Sequence, residues 1–395
     1  MKVRFLSLFI LVPLMFCCNK PENNNDNNKP GQEEEKPNDP TPTEEEELDP
    51  QVKDGETILV TNEIVEKFLT DGTYPERDYK ETHILDNVYA PTAPGKYDKP
   101  QKYTIRWEST STADDITARL WEDSGWSREY TSVSDNYLTI TNLRPNANYH
   151  FEVKAGSKTL TSGSFKTIGH VHQVFFSSGV RNARDLGGWK TKDGKTVKYR
   201  MIYRGGRMEN GKLTKSGKKE ILVEGIRAQL DLRGKSDVLS ESPLGNDLVF
   251  CAPVIEEGYT TLLRDDQEKA KQCFQFISQC VRENKPVYFH CSLGRDRTGT
   301  IAMMILGVLG VNEGEISKEY ELTQFAPHGW ATSDGEKTKM TRKADYKGAA
   351  NYIWDNFAKK DDGTYDEFSV GMEKYLVSIG ITKEEIDEFR SLMLE

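Results

Sequence analysis

The sequence has few cysteines and no metal-binding pattern among them. Only six cysteines occur in 395 residues, and two of these are adjacent, at positions 17 and 18. The other four include no Cys-x2-Cys pair, which argues against a structural zinc site. Cys273 and Cys280 lie seven residues apart on a predicted helix, too far apart for an unstrained disulfide. We expect both of them, and Cys251, to be small buried side chains.

The sequence also lacks a basic stripe. Its net charge is −10, and residues 19–50 contribute strongly, with three lysines against eleven acidic residues. Nucleic-acid-binding proteins cluster lysine and arginine on one face or along one helix, and no such cluster is present. A nucleic-acid partner is therefore not expected. The length suffices for two ordinary domains with additional tails.

A long membrane-spanning run is missing at the N-terminus, where the apolar stretch 5–16 is too short to cross a bilayer comfortably. Two basic residues precede it, and Cys17-Cys18 and a polar tract follow, which resembles a bacterial lipoprotein signal. We predict a signal peptide at 1–18 with Cys18 as the lipidated residue. The protein would then be exported and membrane-anchored, in the periplasm or at the cell surface; an uncleaved N-terminal anchor is the alternative.

Residues 19–50 have too few apolar side chains to form a core. They are rich in asparagine, then in proline and glutamate. Repeated proline and like charge favour an extended chain. We predict a disordered acidic tether.

Residues 51–168 have the pattern of an all-β domain. The segments 103–107 and 137–140 alternate apolar and polar residues, as half-buried strands do. The segment 143–153 has a Leu-x-Pro turn followed by Tyr-x-Phe-x-Val, and it resembles the turn-and-strand motif of fibronectin type III domains. Ala90-Pro91 and a buried-type Trp107 fit the same β-sandwich. This domain carries no catalytic constellation, and its binding partner is unknown.

Residues 170–395 change to a mixed α and β pattern. We predict a strand running into a loop at 227–233, a strand at 286–289, and helices at 266–282 and 298–309. This alternation indicates an α/β domain with a central sheet flanked by helices, preceded by the all-β sandwich. A short helix is also expected at 64–69.

The segment 290–299, His-Cys-Ser-Leu-Gly-Arg-Asp-Arg-Thr-Gly, carries the predicted chemistry. Cys291 would end a buried strand, and Arg297 would lie six residues later at a helix start. A five-residue loop between them can wrap a tetrahedral oxyanion with backbone N–H groups and a helix N-terminus. That environment favours the thiolate, and Arg297 can grip two phosphate oxygens. The phosphate-binding residues would be Ser292, Leu293, Gly294, Arg295, Asp296 and Arg297.

Neighbouring residues have supporting roles in this prediction. Thr298 would hydrogen-bond the thiolate and assist hydrolysis of a phosphocysteine, and His290 would orient Cys291. Chemistry of this kind needs no cofactor and no metal, and none is predicted.

The loop resembles that of bacterial tyrosine phosphatases of the lipid-and-protein-phosphatase type. Three further segments agree with that family in order: Asn182 to Gly188, Tyr203 to Gly206 and Asp231 to Arg233. The resemblance spans about 173–393 and implies a phosphatase fold and activity. Where the family usually has lysine before the Asp-Arg pair, this chain has Arg295.

The general acid is not determined by the sequence, since no Trp-Pro-Asp loop is present. A carboxylate beside a phosphate dianion is costly unless protonated, which would raise the pKa of Asp296 towards that of a usable acid. Asp296 is favoured slightly, because the family signature that the loop resembles retains it. Asp231 is the alternative. Asp185 is expected to cap a loop or form a salt bridge. Arg204 is expected either to neutralise charge near the site or to form a structural ion pair.

Three functions remain open. The first is hydrolysis of phosphotyrosine, with phosphoserine or phosphothreonine as further substrates. The second is hydrolysis of inositol phosphates or phosphoinositides, since two arginines at one pocket suit a polyanion. The third is a surface scaffold with an inert phosphatase-like domain, which the presence of Cys291, Arg297 and Thr298 disfavours.

Overall fold

A computed structural model describes residues 49–70, 76, 97–108, 115–131, 133, 136–177, 179–209, 213–245, 248–326 and 343–395. The predicted signal segment with Cys17 and Cys18 lies outside these described residues. So do the predicted tether up to residue 48 and the Ala90-Pro91 start of the predicted sandwich.

The first part of the chain is mostly β-structure. Its strands are β1 (Thr57–Leu59), β2 (Tyr103–Arg106), β3 (Ile116–Glu122), β4 (Ser127–Tyr130), β5 (Tyr137–Ile140), β6 (Asn148–Ala155) and β7 (Lys158–Ile168). Five form a sheet in the order β1-β7-β6-β3-β4, and β2 pairs with β5. On β6, Tyr149, Phe151 and Val153 are buried while their neighbours are not, as in a strand with one face on a core.

The strands predicted at 103–107, at 137–140 and in the Tyr-x-Phe-x-Val segment 149–153 are confirmed to within a few residues. Trp107 is buried in the core of this part, as expected. The β-sandwich and its likeness to fibronectin type III domains stay predictions.

The helix predicted at 64–69 is present as α1 (Glu63–Thr70). Its buried side chains, Val65, Phe68 and Leu69, pack into the large core of the following α/β part, not into that of the β-strands. Lys318 from the α/β part donates a hydrogen bond to the Leu69 carbonyl at 3.1 Å. The chain before residue 70 therefore contributes to both cores.

The second part is built on a sheet in the order β11-β10-β12-β9-β8, parallel except for the last strand. Its strands are β8 (Arg184–Asp185), β9 (Ile202–Gly205), β10 (Ala228–Asp231), β11 (Val249–Cys251) and β12 (Val287–His290). Its α-helices are α2 (Lys215–Glu224), α3 (Tyr259–Arg264), α4 (Gln267–Arg282), α5 (Asp296–Leu309), α6 (Glu313–Glu321), α7 (Lys343–Ile353), α8 (Phe368–Ser378) and α9 (Lys383–Met393). The predicted α/β fold is thereby confirmed.

The two predicted helices of this part are confirmed, and each differs slightly in its start. Helix α4 begins at Gln267, and its buried face includes Cys273 and Cys280. Helix α5 begins at Asp296, and every residue from Thr298 to Leu309 is buried. Cys251 is only partly buried. In the described part of the chain, no helix is long and apolar enough to cross a membrane.

The register of the parallel strands brings several polar residues to one edge of the sheet. Asp231 pairs with His290, and His290 pairs with Gly205 on the other side. All three residues end their strands. Cys291 therefore emerges at the carboxyl edge of the sheet, where ligand sites of open α/β folds form.

A buried charge cluster joins the β-strands to the α/β part. Arg200 of the second part binds Glu122 of β3 at 2.7 Å and also binds Glu224 of α2. Arg128 of β4 binds Glu224 at 2.7 Å. Burial opposes ionisation of Glu122, but Arg200 and Arg144 outweigh it and lower its pKa to about 2. These contacts hold the two parts in one arrangement.

Candidate active site

Cys291 follows the fully buried strand β12, and its side chain is itself 3% exposed. Helix α5 starts only five residues later, at Asp296. The loop between strand and helix is therefore short and closed at both ends by buried structure. A short loop that leads into the first turn of a helix can bind an anion through its N–H groups.

The surroundings of Cys291 favour its thiolate. Burial raises the pKa of the thiol, but the Arg297 guanidinium and the hydroxyl and N–H of Thr298 lower it by more, so that the pKa lies below the usual value. A cysteine with a depressed pKa is a stronger candidate nucleophile than an ordinary buried thiol. The other three described cysteines show the opposite: burial raises the pKa of Cys251 to about 11 and of Cys280 to about 12, and that of Cys273 well above its normal range.

Arg297 is partly exposed and is oriented by the neighbouring loop. Its Nη1 donates to the Ile255 carbonyl at 2.9 Å. The planar guanidinium has further N–H groups that can reach a bound phosphate. This anchoring places the predicted phosphate clamp beside the predicted nucleophile.

His290 is fully buried beneath the loop. Burial lowers its pKa more than the nearby Asp231 raises it, so the imidazole is neutral at ordinary pH. Nδ1 donates to the Cys291 carbonyl at 3.1 Å, and Nε2 accepts from Gln229 at 2.9 Å. These bonds fit one tautomer and fix the backbone at Cys291.

Gly294 requires glycine at the turn of the loop. Its φ is +72°, and a Cβ there would lie 2.4 Å from the backbone of Gly205. A side chain would be strained by the left-handed conformation and would collide with a strand that cannot move freely. The loop therefore packs directly on β9.

The outer carbonyls of the loop are held by side chains from other segments. Asn182 Nδ2 donates to the carbonyls of Leu293 at 3.2 Å and Gly294 at 3.0 Å. Arg204 donates to the same Gly294 carbonyl, and it is fully buried. Arg204 thus binds the backbone of the loop and stabilises its conformation.

Glu319 of α6 completes this support, and sequence reasoning assigned it no role. It binds Arg204 at 2.5 Å and Arg184 at 2.7 Å, and all three side chains are buried. Burial and the neighbouring Arg204 guanidinium lower the pKa of Arg184 to about 10. Arg204 is therefore in a structural ion pair, one of the two roles expected for it. Glu319 lies on helix α6, which carries three further glutamates, so its sequence position did not single it out.

We expect Glu319→Ala to be strongly destabilising, because it leaves two buried guanidinium groups without their carboxylate. The expected loss in unfolding free energy is about 3–5 kcal/mol. Urea unfolding of the full chain measures it. Glu388→Ala is the matched control, since its pair with Arg282 is largely exposed and contributes about 0–1 kcal/mol. Equal losses in both variants would contradict the role given to Glu319.

Asp296, the favoured proton donor, lies at the start of α5 and is 21% exposed at its side chain. Its Oδ1 accepts from the Tyr259 hydroxyl at 2.5 Å and from Arg295 Nε at 2.8 Å. Burial and the nearby Tyr320 and Asp296 raise the pKa of Tyr259, so Tyr259 remains a neutral donor. One carboxylate oxygen of Asp296 therefore joins the loop to Tyr259 of helix α3. Through the Tyr259 hydroxyl, it is also linked to Tyr320 of helix α6.

Asp231, the alternative donor, is fully buried and faces Arg233 with both oxygens, at 2.8 Å for Oδ1 and 2.7 Å for Oδ2. Burial raises the pKa of Asp231, but the hydrogen bonds and the positive charge of Arg233 hold it below its normal value. Asp185 accepts from the backbone N–H groups of Gly187 and Arg200 and lies beside His172 at 3.2 Å, which is a loop-capping position.

The rim of the loop is formed by Ser292 and Leu293. Leu293 is 39% exposed and is one of seven large apolar residues exposed to this degree among the described residues. The Ser292 carbonyl accepts from Arg207 N at 3.3 Å, and its hydroxyl lies 3.4 Å from a carboxylate oxygen of Asp237. Sequence reasoning did not single out Asp237.

Together, the mostly parallel α/β sheet and the cysteine loop at its carboxyl edge point to a phosphatase-type enzyme. Comparison with known proteins agrees. A family model described as the tyrosine phosphatase family matches residues 176–395. The chain belongs to the tyrosine phosphatase family and is a phosphatase.

Individual relatives share limited identity with the chain. A tyrosine-protein phosphatase of Nostoc commune is 24% identical over 218 residues, covering 46% of this chain and 70% of the relative. A protein of Cupriavidus necator with a tyrosine-protein phosphatase name is 27% identical over 173 residues, covering 38% and 62%. A crystal structure of Tk-PTP in a mutant form aligns with 16% identity and a TM-score of 0.24, over 32% of this chain and 80% of that one.

Proposed function

We propose that the chain hydrolyses phosphotyrosine in proteins through a phosphocysteine intermediate on Cys291. The observation that carries this proposal is the thiol whose pKa is depressed by Arg297 and Thr298 at the base of the loop. A depressed pKa makes the thiolate available without a separate base. The names of the relatives support the same substrate class.

In the first step, the Cys291 thiolate attacks phosphorus, an S–P bond forms, and the P–O bond to the leaving group breaks. The departing oxygen takes a proton from an acid. In the second step, water attacks phosphorus, the S–P bond breaks, and the electron pair returns to sulfur while inorganic phosphate leaves. Arg297 and the loop N–H groups stabilise the equatorial oxygens throughout, because the charge on them is present in both transition states.

The rim favours an aromatic phosphate ester. Cys291 is recessed at 3% exposure, so the phosphate must reach below the protein surface. The exposed Leu293 offers an apolar contact beside that opening. A phenyl ring holds its phosphate further from the peptide backbone than a serine side chain does, and it gains from apolar contact. A short alkyl phosphate such as phosphoserine has neither advantage.

A substrate panel tests the proposal with the full chain. Wild type should turn over p-nitrophenyl phosphate, and its kcat/KM should be highest for phosphotyrosine peptides. The comparison set is phosphoserine and phosphothreonine peptides and inositol phosphates, with Cys291→Ser as the inactive control. A higher kcat/KM for inositol phosphates than for phosphotyrosine peptides would contradict a protein substrate. The absence of any turnover would favour an inert scaffold.

We propose further that the protein is a lipoprotein anchored through Cys18. The support is the charged and apolar pattern before Cys17-Cys18. Cys18→Ala should release the protein from washed membranes and abolish incorporation of labelled fatty acid, because it removes the only predicted acceptor. Cys17→Ala is the matched control, since alanine is equally small before the cleavage point. Retention of the Cys18→Ala protein in washed membranes would point to a different anchor.

A further inference from the structure

The loop that follows β10 reaches the mouth of the candidate site. Strand β10 lies beside β12 in parallel register, so both strands deliver their following loops to the same edge of the sheet. After Asp231 the chain turns over the cysteine loop, and Asp237 Oδ2 lies 3.4 Å from the Ser292 hydroxyl. Ser292 is the residue next to Cys291. Asp237 is therefore a carboxylate at the rim of the predicted phosphate site.

Asp237 is held in this position by a network around its loop. Its backbone N–H and that of Val238 both donate to the Gly234 carbonyl at 3.0 Å, which closes a turn. Lys235 N donates to Glu256 at 3.0 Å. The turn thus presents the Asp237 side chain to the site from a fixed backbone.

Asp231 fixes the two ends of the same loop. Its carboxylate accepts from the N–H of Arg233 at 3.1 Å and from the N–H of Leu239 at 3.3 Å. Together with its two bonds to the Arg233 guanidinium, this occupies both oxygens. Asp231 is thus a positioning residue for the segment that carries Asp237.

The aspartates Asp231, Asp296 and Asp237 differ in their access to a substrate. Asp231 is fully buried, and Asp296 is mostly buried and binds Tyr259 and Arg295. Asp237 is exposed to solvent. A general acid has to reach the departing oxygen within hydrogen-bond distance, and a protein substrate can approach only from the solvent side.

We propose that Asp237 is the catalytic residue that protonates the leaving oxygen. This inference rests on the proposed phosphocysteine reaction at Cys291. As the P–O bond breaks, the proton of the Asp237 carboxylic acid passes to the departing oxygen, giving the free hydroxyl and the Asp237 carboxylate. In the second step, the carboxylate takes a proton from the attacking water. Asp237 returns to its acid form when phosphate leaves.

The test is the dependence of kcat/KM on the acidity of the leaving group, measured with the full chain. The substrates are aryl phosphates from dinitrophenyl phosphate to phenyl phosphate, and a phosphotyrosine peptide, whose phenol has a pKa of about 10. For Asp237→Asn we expect a loss of about 10²–10³-fold on phenyl phosphate and the peptide. Dinitrophenyl phosphate needs little protonation and should change by less than about threefold. Asp237→Glu should recover part of the loss.

Comparison variants separate this assignment from the others. Asp361→Asn, an exposed carboxylate on the loop before α8, should match wild type. Asp231→Asn and Asp296→Asn should slow all substrates by similar factors, because they disturb the loops. Equal slopes for wild type and Asp237→Asn would overturn the assignment while leaving phosphatase activity intact. Failure of wild type to turn over even dinitrophenyl phosphate would overturn the proposed function, and this assignment with it.

Discussion

Replacing Cys291 by serine should lower kcat by about 10⁴-fold or more, because the attacking atom is lost. A serine hydroxyl at this position is not ionised by the forces that ionise the thiol. Arg297 and Thr298 lower the pKa of a cysteine that is already weakly acidic, whereas an alcohol starts far above that range. No neighbouring neutral base compensates, since the imidazole of His290 is bonded to the Cys291 carbonyl and to Gln229.

Phosphate binding should survive the same change. The proposed anion site consists mainly of loop N–H groups, the first turn of α5 and Arg297, and serine alters none of these. Affinity for inorganic phosphate, measured by titration calorimetry, should stay within about tenfold of wild type. Cys251→Ser is the matched control, because Cys251 is a partly buried thiol whose pKa is raised by burial. Substantial residual turnover in Cys291→Ser would remove Cys291 from the nucleophile position.

The cysteine loop could be predicted from sequence because its determinants are contiguous. Ten consecutive residues specify a strand end, a turn and a helix start, and Gly294 supplies the conformation that the turn requires. The flanking apolar segments indicated a buried strand and a buried helix, and both are present as β12 and α5. Local pattern was therefore sufficient for this part of the fold.

The buried ion pairs that stabilise the cysteine loop could not be predicted in the same way. Glu319 lies 135 positions from Arg184 and 115 from Arg204, and it is one of four glutamates on its helix, with no local feature that identifies its partners. Asp237 likewise becomes notable only when β10 is placed beside β12. Long-range pairing of buried charges depends on the completed topology.

The short helix α1 shows that the sequence pattern also does not predict which core a helix packs against. Its spacing indicated an apolar face, and Val65, Phe68 and Leu69 are buried as expected. Amphipathic periodicity says that a helix has a buried face, but not which core receives it. In this chain the receiving core is that of the α/β part. A fragment starting near residue 170 would lack these three side chains.

Replacing Arg297 by lysine should be nearly as damaging as replacing it by alanine, with kcat/KM lowered by about 10²–10³-fold in each. The guanidinium has two tasks in this site. Nη1 is bound to the Ile255 carbonyl, which sets the orientation of the plane, and the other N–H groups of the fork can reach two phosphate oxygens. A single ammonium group cannot satisfy the carbonyl and hold two oxygens together.

The two substitutions should differ in their effect on the thiol, and this difference separates charge from geometry. Lysine keeps a positive charge near Cys291, so the depressed pKa of the thiol should be largely retained. Alanine removes that charge, and burial then dominates and raises the pKa. The pH dependence of alkylation by iodoacetamide measures the pKa of the thiol: the midpoint should move upward for Arg297→Ala and much less for Arg297→Lys.

Arg282→Lys, on the surface of α4, is the control for an arginine whose pairing is exposed. If Arg297→Lys kept most of its turnover, charge alone would suffice and the bidentate clamp would be wrong. If it kept the low thiol pKa yet lost turnover, the geometry of the fork would be the part that catalysis requires.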